Sequence, residues 1–246
     1  MTNEKVIQVK DLVKKFGSFV ANDHLSFDVY RGEIFGFLGA NGAGKTTAIR
    51  ILSGLSKPSS GEVRVAGYDI YRHAENVKKH IGYMCQKFSL YEDLTVAENI
   101  MLYGGIYGLS KKTIEERTTD LLRNLDFTEY RKRIIGNLPL GMRQKLAFSV
   151  AILHNPDIVF LDEPTGGVDP ITRRQFWEMI YSASDNGITV FVTTHYMDEA
   201  EYCDRVCIMN EGRIVASDSP EELKKKYGAT SVQEVFVKIA RPSINN

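Results

Sequence analysis

Residues 39–46 read GANGAGKT and match the pattern G-x-x-x-x-G-K-[ST]. A continuous apolar run, Ile34–Leu38, precedes this segment, and a stretch with helical periodicity, Thr46–Leu55, follows it. The motif needs this strand–loop–helix context, because the loop amides and the start of the helix together attract a phosphate group. The pattern therefore predicts a nucleotide-binding P-loop after a strand that is buried on both faces.

The chemistry of the P-loop assigns expected roles to its residues. Lys45 adds a full positive charge at the phosphates, and Thr46 can offer its hydroxyl group to Mg²⁺. The remaining residues are expected to surround the nucleotide, mainly through their backbone: Gly39, Asn41, Gly42, Ala43, Gly44 and Thr47.

A second apolar run, Ile158–Leu161, ends in two adjacent acids, Asp162 and Glu163. Asp162 is placed to bind Mg²⁺, directly or through water, and Glu163 to polarise an attacking water molecule. Repulsion between neighbouring carboxylates raises the pKa of one of them, which favours a role as a base. Solvated acids at an exposed strand end are the alternative, and it is the weaker one beside a P-loop.

The rest of the chain alternates short apolar runs with longer helical stretches, which is typical of an α/β fold. An antiparallel β region is expected near the N-terminus, and a helical subdomain is expected at about 87–155, inserted in the α/β core of a single domain, 1–246. Predicted strands are Val6–Val9, Leu25–Tyr30, Val63–Val65, Ile81–Met84, Val190–Thr193, Val206–Met209 and Glu234–Ile239; predicted helices occupy 95–125 and Gly141–Leu153.

Composition limits the class of protein. Lys+Arg and Asp+Glu are both 31, so the formal net charge is zero and gives no electrostatic reason to expect a nucleic-acid partner. No apolar run approaches the roughly 20 residues that span a bilayer, and Met1–Asp11 carries no secretory apolar segment. We therefore expect a cytoplasmic location.

The three cysteines are Cys85, Cys203 and Cys207. The last two are four residues apart and could share a helix face, with His195 upstream. A fourth ligand and the usual CxxC spacing of a metal site are missing, so we interpret them as reduced structural thiols.

Further residues give the chain a resemblance to the nucleotide-binding domain of ABC transporters over nearly its whole length. Gln86 resembles the family's glutamine loop, and 165–169 (TGGVD) resembles the loop that crosses the dimer interface. The segment 193–195 (TTH) followed by 198–200 (DEA) resembles the histidine switch, and Phe16 matches the adenine-stacking aromatic in spacing. Together with the P-loop and acidic strand, these segments identify an ABC-type ATPase with a P-loop NTPase core.

The resemblance implies that ATP and Mg²⁺ are bound between two such subunits. It places Gln86 beside Mg²⁺ and the membrane subunit, Asp169 at the dimer interface, and His195 at the γ-phosphate. Each residue also has a plainer interpretation: a solvated amide for Gln86, a helix N-cap before Pro170 for Asp169, and a structural histidine for His195. Phe19 could stack on adenine instead of Phe16.

The segment Leu138–Gln144 (LPLGMRQ) departs from the family's Leu-Ser-Gly-Gly-Gln signature. Pro139 replaces the serine and has neither its hydroxyl nor its N–H, and Leu140 replaces the first glycine. Gly141 and the helix dipole remain to contact a phosphate across the dimer. Lost hydrogen bonds could cost about 1.5–3 kcal/mol each on dimer closure. A homodimer with weaker contacts is favoured, and a heterodimer is the alternative.

The resemblance implies an ATPase that energises a separate membrane-spanning permease from the inner face of the cell membrane. Residues 88–95 and 68–69 are similar to those of bacterial drug-exporter-type ATPases, which indicates export. The altered signature leaves open an ATP-binding regulatory subunit with weak hydrolysis in a heteromeric transporter. A soluble non-transport ABC ATPase is a further alternative, against which a neutral single cassette argues.

Overall fold

The computed structural model describes residues 4–86 and 90–240, which form two β-sheets and the helices that pack on them. The strands are β1 (Lys5–Phe16), β2 (Phe19–Tyr30), β3 (Ile34–Gly39), β4 (Ser60–Val65), β5 (Tyr68–Asp69), β6 (Ile81–Met84), β7 (Ile158–Asp162), β8 (Thr189–Thr194), β9 (Arg205–Asn210) and β10 (Arg213–Asp218). The α-helices are α1 (Lys45–Leu52), α2 (Ala74–Lys79), α3 (Val96–Ile106), α4 (Lys111–Asn124), α5 (Leu140–Ala151), α6 (Pro170–Asp185), α7 (Pro220–Tyr227) and α8 (Val232–Ala240).

The larger sheet has the strand order β10-β9-β3-β8-β7-β6. All neighbours in it are parallel except β10, which runs antiparallel to β9. Every residue of β3, β7 and β8 is buried, which explains why these strands are almost continuously apolar in sequence. The carboxyl ends of parallel strands meet at one edge of a sheet, so the segments that follow β3, β6, β7 and β8 come together there.

The smaller sheet has the order β2-β1-β4-β5 and is antiparallel, as the sequence predicts for the N-terminal region. β1 and β2 are each 12 residues long, whereas the sequence predicts strands only at Val6–Val9 and Leu25–Tyr30. Several register shifts between them interrupt the simple alternation of buried and exposed residues. The alternation of apolar and polar residues that indicates a strand was therefore visible in the sequence over only part of β1 and β2.

Three α-helices, α3, α4 and α5, lie between β6 and β7, within the segment for which a helical subdomain is predicted. The predicted helical stretch 95–125 contains two helices, α3 and α4. Thr95 and Glu98 form a capping box at the start of α3, and Ser110 accepts a hydrogen bond from the N–H of Thr113 at the start of α4. The second cap starts a new helix within a pattern that looked continuous in sequence.

The prediction of a strand at Glu234–Ile239 is wrong, because these residues belong to α8. The fully buried Val232 and Val235 are three residues apart, and Glu234 pairs with Lys238 at 3.0 Å; both spacings are helical. The alternation of polar and apolar residues in this short segment fitted either structure. No helix in the ranges 4–86 and 90–240 combines the length and the apolar character needed to cross a bilayer.

Candidate functional site

The predicted P-loop connects β3 to α1 at the carboxyl edge of the larger sheet. Gly44 is the N-cap of α1 and has a φ of 100°, and a Cβ atom there would lie 2.3 Å from the backbone oxygen of Ala21. Only glycine fits both the conformation and the space. The first turn of α1 contains no acidic residue, so its unpaired N–H groups are suited to an anion.

A cleft of about 370 Å³ opens over this loop. Such a volume lies within the usual range of small-molecule sites, about 300–1,000 Å³. Its walls include six predicted ligand residues of the P-loop together with two from neighbouring loops: Asn41, Gly42, Gly44, Lys45, Thr46 and Thr47, with Gln86 and Glu163. Gly39 and Ala43 do not line the cleft; the carbonyl of Gly39 accepts a hydrogen bond from Lys45 Nζ at 2.8 Å, and that of Ala43 accepts one from the N–H of Gly212.

Three other predicted site residues surround the carboxylate of Glu163. Its Oε1 atom lies 3.4 Å from Lys45 Nζ, and its Oε2 atom accepts a hydrogen bond from Gln86 Nε2 at 2.9 Å. The Nδ1 atom of His195 lies 3.0 Å from the same Oε2 atom. Side-chain exposure is only 8% for Glu163 and 3% for Lys45, so both charges are largely shielded from solvent. The structure thus brings together four of the predicted residues, each from the segment that follows a different strand of the larger sheet.

The backbone of Glu163 is also unusual, because its φ is +50°. This left-handed conformation is uncommon for a residue with a side chain. The N–H group of Glu163 donates to the backbone oxygen of Thr193 at 3.1 Å, which ties the segment after β7 to β8. Backbone strain of this kind clusters at functional sites, and here it accompanies the turn that carries the central carboxylate.

Oxygen atoms suited to Mg²⁺ lie beside this carboxylate. Asp162 is buried, and its Oδ1 atom accepts hydrogen bonds from Thr193 Oγ1 at 2.6 Å and Thr46 Oγ1 at 3.3 Å. Burial raises the pKa of Asp162, and the nearby charge of Glu163 acts in the same direction. A divalent cation would favour the charged form again, and hydroxyl, carboxylate and amide oxygens are its preferred ligands. Thr46 and Asp162, with the amide of Gln86 in the same cleft, therefore fit Mg²⁺.

Three predicted site residues lie outside this cluster. Phe16 is 56% exposed at the end of β1, with Lys14 Nζ 4.9 Å from its ring centre. Phe19, across the hairpin, lines the cleft instead and is itself 61% exposed. Asp169 caps α6, accepting hydrogen bonds from the N–H groups of Ile171 and Thr172 at 3.0 Å. The third residue, Gly141, belongs to the signature segment.

The signature segment packs against its own chain. Pro139 is the N-cap of α5 and provides no side-chain cap. A Cβ atom on Gly141 would lie 2.5 Å from Thr172 Cγ2, so a larger residue at this position would force the Thr172 side chain to shift where α5 meets α6. Gln144 Nε2 donates to the backbone oxygen of Gly166 at 3.1 Å, which joins α5 to the segment that follows Glu163. These contacts were not visible in the sequence, because they join residues more than 20 positions apart.

The segment after His195 is tied to the same loop. Thr165 donates a hydrogen bond to Glu199, which is fully buried and also lies 3.6 Å from Arg173 Nε.

Cys207 lies in β9, whereas Cys203 precedes that strand, so the two thiols do not share a helix face as the sequence had suggested. Both are buried, and burial raises the pKa of each. Within the described ranges, no group of three or more His, Cys, Asp or Glu side chains is placed to hold a metal ion.

The family model described as "ABC transporter" matches residues 22–166. The chain is 48% identical over 221 residues to the "Probable multidrug ABC transporter ATP-binding protein YbhF" of Escherichia coli (strain K12), a match that covers 90% of this chain and 38% of that protein. It is 37% identical to the "Bacitracin transport ATP-binding protein BcrA" of Bacillus licheniformis, over 90% of this chain and 72% of that protein.

A solved structure described as "Structure of ATP binding subunit of ABC transporter" superposes with a TM-score of 0.87 at 30% identity. That likeness covers 96% of this chain and 100% of the solved one. A second, described as the ADP conformation of an ATP-binding cassette, gives a TM-score of 0.83 at 26% identity, over 96% of this chain and 99% of that one. The P-loop, the strand order and these matches agree: the chain belongs to the ABC transporter ATP-binding family.

Proposed function

We propose that the chain binds and hydrolyses ATP and thereby energises a separate membrane-spanning permease. The observation that carries this proposal is the convergence of Lys45, Gln86 and His195 on the Glu163 carboxylate at the mouth of a P-loop cleft. A cation for the phosphates and a carboxylate that can position water are parts that phosphoryl transfer to water uses. The His195 imidazole lies 3.0 Å from that carboxylate.

Each side chain has one step in the proposed reaction. Lys45 and the loop amides bind the β- and γ-phosphates, while Phe19 or Phe16 stacks on the adenine. Thr46, Gln86 and Asp162 would hold Mg²⁺, which when bound would neutralise negative charge on the phosphates. Glu163 orients a water molecule and accepts its proton, and His195 contacts the γ-phosphate. The buried setting of Glu163 excludes bulk water and strengthens these charge interactions.

Removal of the metal tests this reaction. The purified chain is expected to release phosphate from ATP in the presence of Mg²⁺ and to stop when EDTA is added, because Thr46 and Asp162 cannot neutralise phosphate charge themselves. Phosphate release measured with and without EDTA, and after Mg²⁺ is restored, checks this. Turnover that continues in EDTA would contradict the assigned roles of Thr46, Gln86 and Asp162.

The proposed assembly is a dimer of nucleotide-binding subunits beneath the permease, with a homodimer favoured over a heterodimer. Glu163, His195 and Asp169 are all present, as a working site in each subunit requires. The packing of Gly141 against Thr172 places the altered signature beside Asp169, which caps the helix that carries Thr172. In this proposal the two segments close over the partner's nucleotide together.

Export is the proposed direction of transport, at the inner face of the cell membrane. The names of similar proteins support it: the Escherichia coli relative is named a probable multidrug ABC transporter ATP-binding protein, and the Bacillus licheniformis relative a bacitracin transport ATP-binding protein. A third, from Ralstonia nicotianae, is 37% identical over 94% of this chain and 72% of its own length and is named "Nod factor export ATP-binding protein I". Of the two segments similar to exporter ATPases, Tyr68–Asp69 forms β5, and 88–95 lies partly outside the described residues.

We propose that the permease docks on the segment between β6 and β7, which carries five large apolar side chains that are exposed: Tyr91, Met101, Leu102, Ile106 and Ile134. Ile106 is the most exposed of them, at 64%. Exposed apolar patches mark interaction sites on soluble domains, and these side chains define the proposed docking surface.

Ile106→Glu is expected to weaken attachment to the permease without changing the ATP turnover of the isolated chain, because Ile106 does not line the nucleotide cleft. The measurement is the fraction of the chain that pellets with membranes when it is expressed with its genomic neighbours. Leu55→Glu is the matched control, since Leu55 is also 52% exposed but lies outside this surface. Equal pelleting of Ile106→Glu and wild type would reject this docking surface.

A regulatory subunit with weak hydrolysis is the second candidate, favoured by the absence of a side-chain cap at Pro139. A regulatory subunit would use the same nucleotide site as a hydrolysing subunit, but its function would not require Glu163. Dependence of turnover on Glu163 therefore separates the two candidates.

A further inference from the structure

Asn22 is a polar residue in the buried part of β2, directly behind the P-loop. Its side chain is completely buried, and nearby positions of the same strand carry the buried apolar residues Ala21, Leu25 and Val29. The amide Nδ2 donates a hydrogen bond to the backbone oxygen of Gly44 at 3.0 Å. The Oδ1 atom has no hydrogen-bond partner among residues 4–86 and 90–240.

The orientation of this amide is fixed by its chemistry. Exchanging its nitrogen and oxygen would bring an amide oxygen against the oxygen of Gly44, and two acceptors repel. One acceptor of Asn22 therefore stays unpaired, which costs stability in a buried position. An apolar residue of similar size would avoid this cost, so folding alone does not explain an asparagine here.

The hydrogen bond acts on the peptide unit between Gly44 and Lys45. A trans peptide is planar, so its C=O and N–H groups point in opposite directions. Asn22 holds the C=O on the side of β2, and the N–H of Ala48 also donates to this oxygen at 3.0 Å. The N–H of Lys45 is therefore directed away from β2, towards the cleft that Lys45 lines.

That N–H is the first of α1 and has no intrahelical acceptor. A hydrogen bond accepted by the carbonyl oxygen of a peptide also polarises the N–H group of that peptide, so the N–H group becomes a better donor to an anion. Asn22 thus both orients and polarises the Lys45 N–H group, and both effects favour its binding of an anion.

Other contacts support the P-loop from the same side. The N–H of Gly212, in the turn between β9 and β10, donates to the oxygen of Ala43 at 3.1 Å. The oxygen of Gly212 in turn accepts from the N–H of Asp23 at 2.8 Å. These are backbone contacts, which any sequence could make, whereas the bond from Asn22 depends on its side chain.

We propose that Asn22 is a positioning residue of the nucleotide site. It holds the Gly44–Lys45 peptide so that the Lys45 N–H binds a phosphate of a nucleoside di- or triphosphate. The proposal rests on the proposed function, because it assumes that the cleft takes a nucleotide.

The test is Asn22→Leu, which keeps the size of the side chain and removes both polar atoms. We expect the Kd values for ATP and ADP to rise about three- to tenfold, the equivalent of one neutral hydrogen bond. The melting temperature of the nucleotide-free chain is expected to stay the same or rise, because the unpaired oxygen is also removed. Titration calorimetry measures the first quantity and thermal unfolding the second.

Two further variants separate positioning from general packing. Asn22→Asp places an oxygen against the Gly44 oxygen and is expected to weaken ATP binding more than Asn22→Leu does. Leu25→Ala, at a fully buried position on the same strand, is expected to lower the melting temperature and leave the Kd for ATP unchanged.

Wild-type affinity for ATP in Asn22→Leu would overturn the inference. So would equal losses of affinity in Leu25→Ala and Asn22→Leu, because these would indicate packing alone. Failure of the wild-type chain itself to bind ATP would instead overturn the proposed function, and this inference with it.

Discussion

Replacement of Glu163 by glutamine is expected to reduce ATP turnover about 10²- to 10⁴-fold, the usual contribution of a general base. Binding of ATP is expected to persist or to tighten. Glutamine keeps the shape of the side chain and can still accept a hydrogen bond from Gln86, but it cannot take a proton from water. It also removes a negative charge that lies 3.4 Å from Lys45 Nζ and would repel the γ-phosphate.

Phosphate release and ATP affinity, measured on the same preparation, check this prediction. Glu62→Gln is the control, because Glu62 is an exposed acid on β4, outside the cleft. Unchanged turnover in Glu163→Gln would contradict the proposed role of this residue and support the regulatory subunit.

The same variant tests how the dimer closes. The mass of the Glu163→Gln chain in solution is expected to double on addition of ATP if two copies of this chain close over nucleotide. A chain that binds ATP and stays monomeric would indicate that Leu138–Gln144 cannot close on a second copy. Adding Pro139→Ser to that background restores a hydroxyl at the N-cap of α5. Dimerisation of the double variant alone would assign the defect to Pro139.

The cluster at the cleft was predictable because of the topology of a parallel sheet. Lys45, Gln86, Glu163 and His195 each follow a buried apolar run in sequence, and the carboxyl ends of such strands share one edge. Local patterns predicted Lys45 and Glu163 as site residues, whereas Gln86 and His195 were predicted from the resemblance to ABC transporters. The roles of these residues in hydrolysis stay predictions.

Features that depend on packing between distant segments could not be predicted in this way. Asn22 contacts Gly44 across 22 positions, and nothing in its local sequence separates it from a turn or edge residue. The close contact of Gly141 with Thr172 likewise depends on how α5 and α6 cross. The choice between Phe16 and Phe19 depends on which side of the β1–β2 hairpin faces the cleft, and this follows from register rather than composition.

Replacement of Lys45 by methionine is expected to raise the Kd for ATP by about 10²-fold or more, since two or more charge-assisted hydrogen bonds at about 1.5–3 kcal/mol each would be lost. The ammonium group donates to the backbone oxygens of Gly39 at 2.8 Å and Ala40 at 3.2 Å, so it is held at the loop before a nucleotide arrives. Methionine has a side chain of similar length and carries no charge to the phosphates.

Titration calorimetry with ATP checks this prediction, and thermal unfolding shows whether the variant is folded. Lys45→Arg is the matched variant, since it keeps the charge but spreads it over a planar fork that cannot occupy the position of a compact ammonium. It is expected to bind ATP more weakly than the wild type and more tightly than Lys45→Met. The Lys45→Met chain also leaves the Glu163 carboxylate without its buried cation, so some loss of stability should accompany the loss of affinity. A folded Lys45→Met chain that binds ATP as tightly as the wild type would show that the loop amides alone hold the phosphates.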